Sequence, residues 1–179
     1  MNLVKTALEG CHILEIERKT DERGFFARVW DKNIFKKNYL NENLVQSSIS
    51  FNEKKYTLRG MHYQNNPYEE VKVVRCTRGK IFDVIIDLRT NSNTFKKWIS
   101  IELSENNYRI IYIPKGMAHG FQTLEDNTEV FYQISQYHNP EYSKGIRWDD
   151  PEFSIKWPSK LPILSEKDSK YTDFKENRL

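Results

Sequence analysis

Along most of the chain, apolar and polar residues alternate in short runs bounded by turn residues, a pattern that predicts strands rather than helices. The runs are Cys11–Ile16, Phe25–Trp30, Gln46–Asn52, Leu58–Tyr63, Val71–Cys76, Ile81–Leu88, Lys97–Leu103, Arg109–Ile113, Gly120–Leu124 and Glu129–Gln136. Turn material such as Asp21-Glu22-Arg23-Gly24, Asn65-Asn66-Pro67, Arg78-Gly79-Lys80, Asn91-Ser92-Asn93 and Glu125-Asp126-Asn127 separates them. Many short strands at close spacing predict an all-β sandwich or barrel. Asp31–Tyr39 reads as a short helix, and the polar tail Ser165–Leu179 as partly helical or loosely ordered. No internal repeat or linker divides the chain, and 179 residues fit a single domain, 1–179.

Strand parity sorts the chemistry-bearing side chains by face. In Val71–Cys76 the period of two puts Lys72 with Val74 and Cys76, and Arg75 with Val71 and Val73. A lysine so placed either snorkels out at a strand edge or holds a partly buried ammonium over a cavity. In Glu129–Gln136 the same rule puts Tyr132 beside Val130 and Ile134, so its hydroxyl points inward, where a core tyrosine normally finds a partner.

Composition removes several classes of function. A net charge of +3, with basic and acidic residues interleaved, gives no stripe for nucleic acid, though a phosphorylated small molecule needs only a few local cations. Two cysteines, Cys11 and Cys76, make no disulfide framework and no paired metal motif, which suits a reducing cytosol. Met1–Glu15 lacks an apolar signal core, and no run approaches the ~18 apolar residues of a membrane span. The expectation is a soluble, cytoplasmic protein without membrane or nucleic-acid partners.

The most informative stretch is Leu58-Arg59-Gly60-Met61-His62-Tyr63-Gln64, with Lys72 on the next predicted strand. A lone histidine on a strand is most often a satisfied core residue. Here Arg59, Gln64 and Lys72 surround it with more polar chemistry than a core strand needs. A histidine that takes a proton beside an ammonium that holds an oxyanion suits chemistry at a carbon next to a carbonyl.

His62-Tyr63-Gln64, Glu69, Gly79 and Pro114-Lys115-Gly116-Met117-Ala118-His119 resemble the two motifs of the cupin barrels. Where metal-binding cupins carry a second histidine in the first motif, this chain has Gln64, a poor ligand for zinc or iron. That leaves His62, Glu69 and His119 as candidate ligands, and no metal or other cofactor is expected. Arg23, Arg59 and Lys167 could clamp a pyrophosphate, since guanidinium forks suit phosphate oxygens.

Taken together, Asp21-Glu22-Arg23-Gly24-Phe25-Phe26, the Leu58–Gln64 and Val71–Arg75 segments, Phe82-Asp83-Val84 with Asp87-Leu88-Arg89, Ile113–Phe121, Trp148-Asp149-Asp150-Pro151 and Leu164-Ser165-Glu166-Lys167-Asp168 resemble one family, the dTDP-4-dehydrorhamnose 3,5-epimerases. The likeness spans residues 20–168. It implies a cupin jelly-roll barrel with short flanking helices, forming a homodimer in which an N-terminal segment crosses to the neighbouring subunit. It also implies that His62 is the base, oriented by Asp168, that Lys72 holds the enolate oxygen at C4, and that Tyr132 protonates the opposite face. Arg23, supplied by the same or the partner subunit, and Phe26, Gln46, Arg59, His119 and Lys167 fall where the family holds its nucleotide sugar.

Two positions depart from the thymidine enzymes' pattern. Arg28 stands where those enzymes commonly carry a glutamate, and Ser143 where they often carry an acid. GDP-linked 4-keto hexoses or heptoses therefore stand beside dTDP sugars as expected substrates, and Arg28 is either a ligand contact or a surface ion-pair partner. The expected activity is epimerisation of a 4-keto-6-deoxy sugar at C3 and C5 for a surface polysaccharide. The alternatives are inversion at C3 alone, a 3,4-ketoisomerase, an idle sugar-nucleotide-binding cupin and a metal cupin.

Overall fold

The computed structural model describes residues 1–175, and its strands fall largely where the alternation puts them. In chain order they are β1 (Asn2–Lys5), β2 (His12–Glu15), β3 (Lys19–Asp21), β4 (Gly24–Phe26), β5 (Gln46–Asn52), β6 (Leu58–Gln64), β7 (Lys72–Arg78), β8 (Lys80–Asp87), β9 (Trp98–Ser104), β10 (Ile110–Ile113), β11 (Met117–Thr123), β12 (Thr128–Ile134) and β13 (Ser143–Gly145). Helix α1 (Lys32–Lys37) follows β4, and α2 (Glu166–Ser169) lies near the C-terminus.

A six-stranded sheet in the order β1-β2-β10-β7-β12-β5 faces a five-stranded sheet in the order β13-β6-β11-β8-β9. From β5 onward the chain passes from one sheet to the other at nearly every connection, which is the jelly-roll path of a cupin barrel. Closing two sheets face to face leaves one interior and two outer faces to cover. Val74, Cys76, Ile111, Ile113 and Val130 of the larger sheet meet Ile81, Ile85, Leu103, Met117 and Phe121 of the smaller one inside. Outside the larger sheet, Phe35 of α1 and Leu40 cover Leu14, Val71, Val73, Ile110 and Tyr112. Outside the smaller sheet, Ile146, Phe153 and Trp157 cover Leu58, Met61, Val84, Ile86 and Ala118.

This layering confirms the parity reading. Val71 and Val73 point outward and Val74 and Cys76 inward, so Lys72 shares the interior face and Arg75 the outer one, where its guanidinium lies 5.7 Å from the Phe131 ring centroid. Tyr132 likewise packs inward against the barrel core.

Elsewhere the elements differ from the expectation. Of the predicted run 25–30 only Phe25 and Phe26 are strand, as part of β4; Asp31 then caps α1 through its side chain, accepting from the amides of Asn33 and Ile34. The short strands β1, β3 and β13 carry too few alternating residues to be legible. Within the tail, α2 forms at Glu166–Ser169, capped by Ser165, and residues 176–179 lie outside the described residues. Among the described residues no helix is long and apolar enough to cross a membrane.

Candidate active site

A cavity of about 740 Å³ opens at one end of the barrel. Residues of β5, β6, β7, β11 and β12 wall it, and Ser165, Lys167 and Asp168 of the α2 segment line it as well. Of the residues singled out from sequence, Gln46, Arg59, His62, Lys72, His119, Tyr132, Lys167 and Asp168 all line it. Ser143, one of the two departures from the family pattern, lines it as well.

His62 and Asp168 are 106 positions apart, yet α2 sets the carboxylate beside the imidazole: Nε2 lies 2.7 Å from Asp168 Oδ1. The Gly60 amide donates to Asp168 Oδ2 at 3.4 Å, so both carboxylate oxygens are engaged. Burial pushes Asp168 up, but the hydrogen bonds from His62 and Gly60 outweigh it and hold the acid below its ordinary range. Burial also pulls the His62 pKa down, against the pull of Asp168, and the nearby Lys72 and Lys167 add to the lowering. At neutral pH the pair is therefore a carboxylate accepting Nε2–H from a neutral imidazole. That tautomer leaves the lone pair on Nδ1, which is what a general base requires.

Lys72 stands on the neighbouring wall. Its ammonium lies 3.1 Å from Glu70 Oε1 and 3.5 Å from the His62 carbonyl oxygen, and both charged side chains are nearly buried. Glu70 also accepts from Gln64 Nε2 at 3.3 Å, which explains why Gln64 faces inward without acting as a ligand. Tyr132 is on β12, and its neighbour Ile134 pairs with Lys72, so the phenol and the ammonium project from adjacent strands into one space. An imidazole, an ammonium and a phenol thus line a single volume, an arrangement able to accept a proton, hold an oxyanion and donate a proton.

Toward the mouth the cavity becomes cationic. Arg59 is braced by Asn52 Oδ1 at 2.7 Å and the Phe51 carbonyl at 3.3 Å, and Lys167 lines the same cavity from α2. His119 pairs across the ladder with His62 and hydrogen-bonds Asp83 Oδ1 at 2.7 Å. Asp83 is fully buried, and burial raises its pKa against the pull of His119. Glu69 lines a separate groove with Arg89 and Lys115, so the three residues considered as metal ligands do not converge. Among the described residues no three His, Cys, Asp or Glu side chains form a metal site.

Three candidates lie outside the cavity of their own chain. Arg23 is at the tip of the β3–β4 hairpin, 84% exposed and paired with Asp21 at 2.6 Å. Phe26 is 63% exposed on the same hairpin. Arg28 is also exposed, 3.4 Å from Asp31. Sequence reasoning missed roles for Glu70, Asp83 and Tyr171. For the first two the signal was there: Asp83 shares the parity of the inward Ile81 and Ile85, and Glu70 stands two residues before Lys72.

The barrel and its pocket define a class of protein, a cupin whose cavity gathers a histidine–aspartate pair, a lysine and a tyrosine, with no assembled metal ligands among the described residues. The dTDP-4-dehydrorhamnose 3,5-epimerase family model matches residues 5–176. The chain is 42% identical over 177 residues to the dTDP-4-dehydrorhamnose 3,5-epimerase of Methanothermobacter thermautotrophicus, covering 97% of this chain and 95% of that protein. The crystal structure of the Bacillus anthracis enzyme of that name, with TDP and PPi bound, superposes with a TM-score of 0.94 at 36% identity, covering 97% of this chain and 99% of that one. The Legionella pneumophila dTDP-6-deoxy-D-glucose-3,5-epimerase in complex with dTDP-4-keto-L-rhamnose gives 0.90 at 34% identity, covering 96% and 92%. This chain belongs to the dTDP-4-dehydrorhamnose 3,5-epimerase family and is an isomerase.

Proposed function

We propose that the protein inverts C3 and C5 of a dTDP-linked 4-keto-6-deoxy sugar. The observation that carries this reading is the His62–Asp168 pair at 2.7 Å opening onto the same cavity as Lys72 and Tyr132. The C4 ketone makes the hydrogens on C3 and C5 acidic. His62 Nδ1 takes the C3 proton, the C–H electrons move into an enolate, and the charge on the C4 oxygen meets the Lys72 ammonium. Tyr132 then delivers its phenolic proton to the opposite face of C3, and the enolate returns to the ketone. Solvent exchange returns a proton to Tyr132 and removes one from His62, and the cycle repeats at C5 once the ring presents that hydrogen to His62. If the ring does not turn, inversion stops at C3.

Arg59, Lys167, His119 and Gln46 hold the diphosphate and nucleoside at the mouth, where two phosphate charges match the local cations. Arg23 and Phe26 join them from a partner subunit. In support, the hairpin carries Phe25 and Phe26 at 41% and 63% exposure, and edge strand β5 exposes Ile49 and Phe51 at 61% and 45%. Exposed apolar side chains on a hairpin and on a sheet edge fit an isologous homodimer interface with exchanged hairpins. The product would feed surface polysaccharide assembly in the cytoplasm. A second reading, with GDP as the nucleotide, is favoured by Arg28 and Ser143 at positions where the thymidine enzymes carry acids.

Incubation in D₂O with dTDP- and GDP-linked 4-keto-6-deoxyhexoses tests the reading. Deuterium at both carbons of the dTDP sugar is the expected NMR result, and deuterium only with the GDP sugar would move the assignment to GDP. Subunit mixing tests the exchanged hairpin. Arg23→Ala and His62→Asn proteins, each inactive, should regain about a quarter of native activity when co-refolded, since half the dimers would hold one intact site.

A further inference from the structure

Tyr171 does not line the cavity, yet its ring stands edge-on to the His62 imidazole, with centroids 5.8 Å apart. Directly beneath it is Gly145, which pairs with His62 across β13 and β6. A Cβ on Gly145 would overlap Cζ, Cε1 and Cε2 of the tyrosine, so the ring needs a glycine at this place. The Tyr171 hydroxyl is buried without a hydrogen-bond partner. A buried phenol ordinarily finds one, so the position is held for its ring.

The segment around it is fixed at both ends. Asp168 anchors the near side through His62 and the Gly60 amide. Beyond Tyr171, the Thr172 carbonyl accepts from the Arg147 amide at 3.1 Å, Asp173 lies 3.0 Å from Arg147 Nε, and the Phe174 ring packs on Phe153 at 5.4 Å. The ring is thus clamped between the dyad and the outer face of the smaller sheet.

We propose that Tyr171 is a positioning residue for the catalytic pair: its ring shuts water from the His62 imidazole and seats the segment that carries Asp168. The inference rests on His62 being the base. The charged and titratable groups around the imidazole are Asp168 on α2, which favours its protonation, Lys72 on β7 and Lys167 on α2, which oppose it, and His119 on β11, already bound to Asp83. With these unchanged, exposing the imidazole to water stabilises the imidazolium and makes the resting base less available. The ring's exclusion of water is consistent with burial being the largest cause of the lowered His62 pKa.

The test compares Tyr171→Phe with Tyr171→Gln, which replaces the ring with a smaller, polar group and lets water in. His62 is titrated by NMR of its imidazole, and kcat and KM are followed against pH. In Y171Q the imidazole titration and the acid limb of kcat/KM should both move to higher pH, and kcat on the plateau should fall roughly tenfold with KM within about twofold. Y171F should keep the native limb and melt at higher temperature, having shed the orphaned hydroxyl. Gly145→Ala, which pushes the ring aside, should shift in the same direction as Y171Q and serves if Y171Q does not fold. A folded Y171Q or G145A whose imidazole titrates as in the native protein would overturn the proposal, as would a Y171F that shifts as far as Y171Q. An imidazole shift without a matching shift in the rate profile would instead discredit His62 as the base, which separates the two failures.

Discussion

Asp168→Asn isolates what the second member of the proposed catalytic pair contributes. Asparagine keeps one acceptor oxygen where the carboxylate has two, so it can accept Nε2–H from His62 only with its amide NH2 turned toward the Gly60 N–H, and the charge that stabilises the imidazolium is gone. The native contact is 2.7 Å and the carboxylate side chain is only 5% exposed, so water does not replace it. A hydrogen bond to a buried charge contributes about 1.5–3 kcal/mol, which at about 1.4 kcal/mol per decade predicts a loss of roughly 10- to 150-fold in kcat. Because Asp168 raises the His62 pKa, removing its charge should also move the acid limb of kcat/KM to lower pH. Steady-state rates of native and variant protein between pH 5 and 9 (about the stable range of most folded proteins) provide the assay. A loss below about threefold, or an acid limb that moves upward, would refute the dyad as the source of the base.

Three other substitutions probe the remaining parts. Lys72→Met removes the proposed oxyanion holder and should lower kcat about 10²- to 10³-fold with little change in KM; an effect confined to KM would make Lys72 a binding residue. Tyr132→Phe should abolish inversion while deuterium still washes into C3, because His62 can take and return a proton on one face, and loss of exchange together with inversion would contradict separate donors. Gly60→Ala would put a Cβ 2.5 Å from Gly120 Cα at a residue with φ of 133°, where the register of the β6–β11 pair shifts. Since Gly60 also donates to Asp168, we expect a destabilisation of at least about 2 kcal/mol by urea titration together with loss of activity, and a native-like midpoint would contradict the packing account.

How far the sequence reaches depends on the range of the interaction. Alternation within β7 and β12 put Lys72 and Tyr132 on the inner face, because parity is a property of a single strand and survives without knowledge of its partners. The pairing of His62 with Asp168 bridges 106 positions and arises only when α2 folds against β6, so no spacing rule reaches it; the family resemblance supplied it. Tyr171 escaped notice for the same reason, since its meaning comes from Gly145 and His62 on other strands. The short strands β1, β3 and β13 are held by pairing to β2, β4 and β6 rather than by their own pattern. Arg23 and Phe26 were legible as motif residues, but their exposed hairpin lies away from the cavity of their own chain, so their proposed role needs a second subunit.

The most direct measurement is deuterium incorporation at C3 and C5 of dTDP-4-keto-6-deoxyglucose in D₂O, run side by side with native protein and His62→Asn. The account predicts deuterium at both carbons with inversion for the native protein and none at either for the variant. Exchange that persists in His62→Asn would mean that another group removes the proton, and the mechanism built on this histidine would fall.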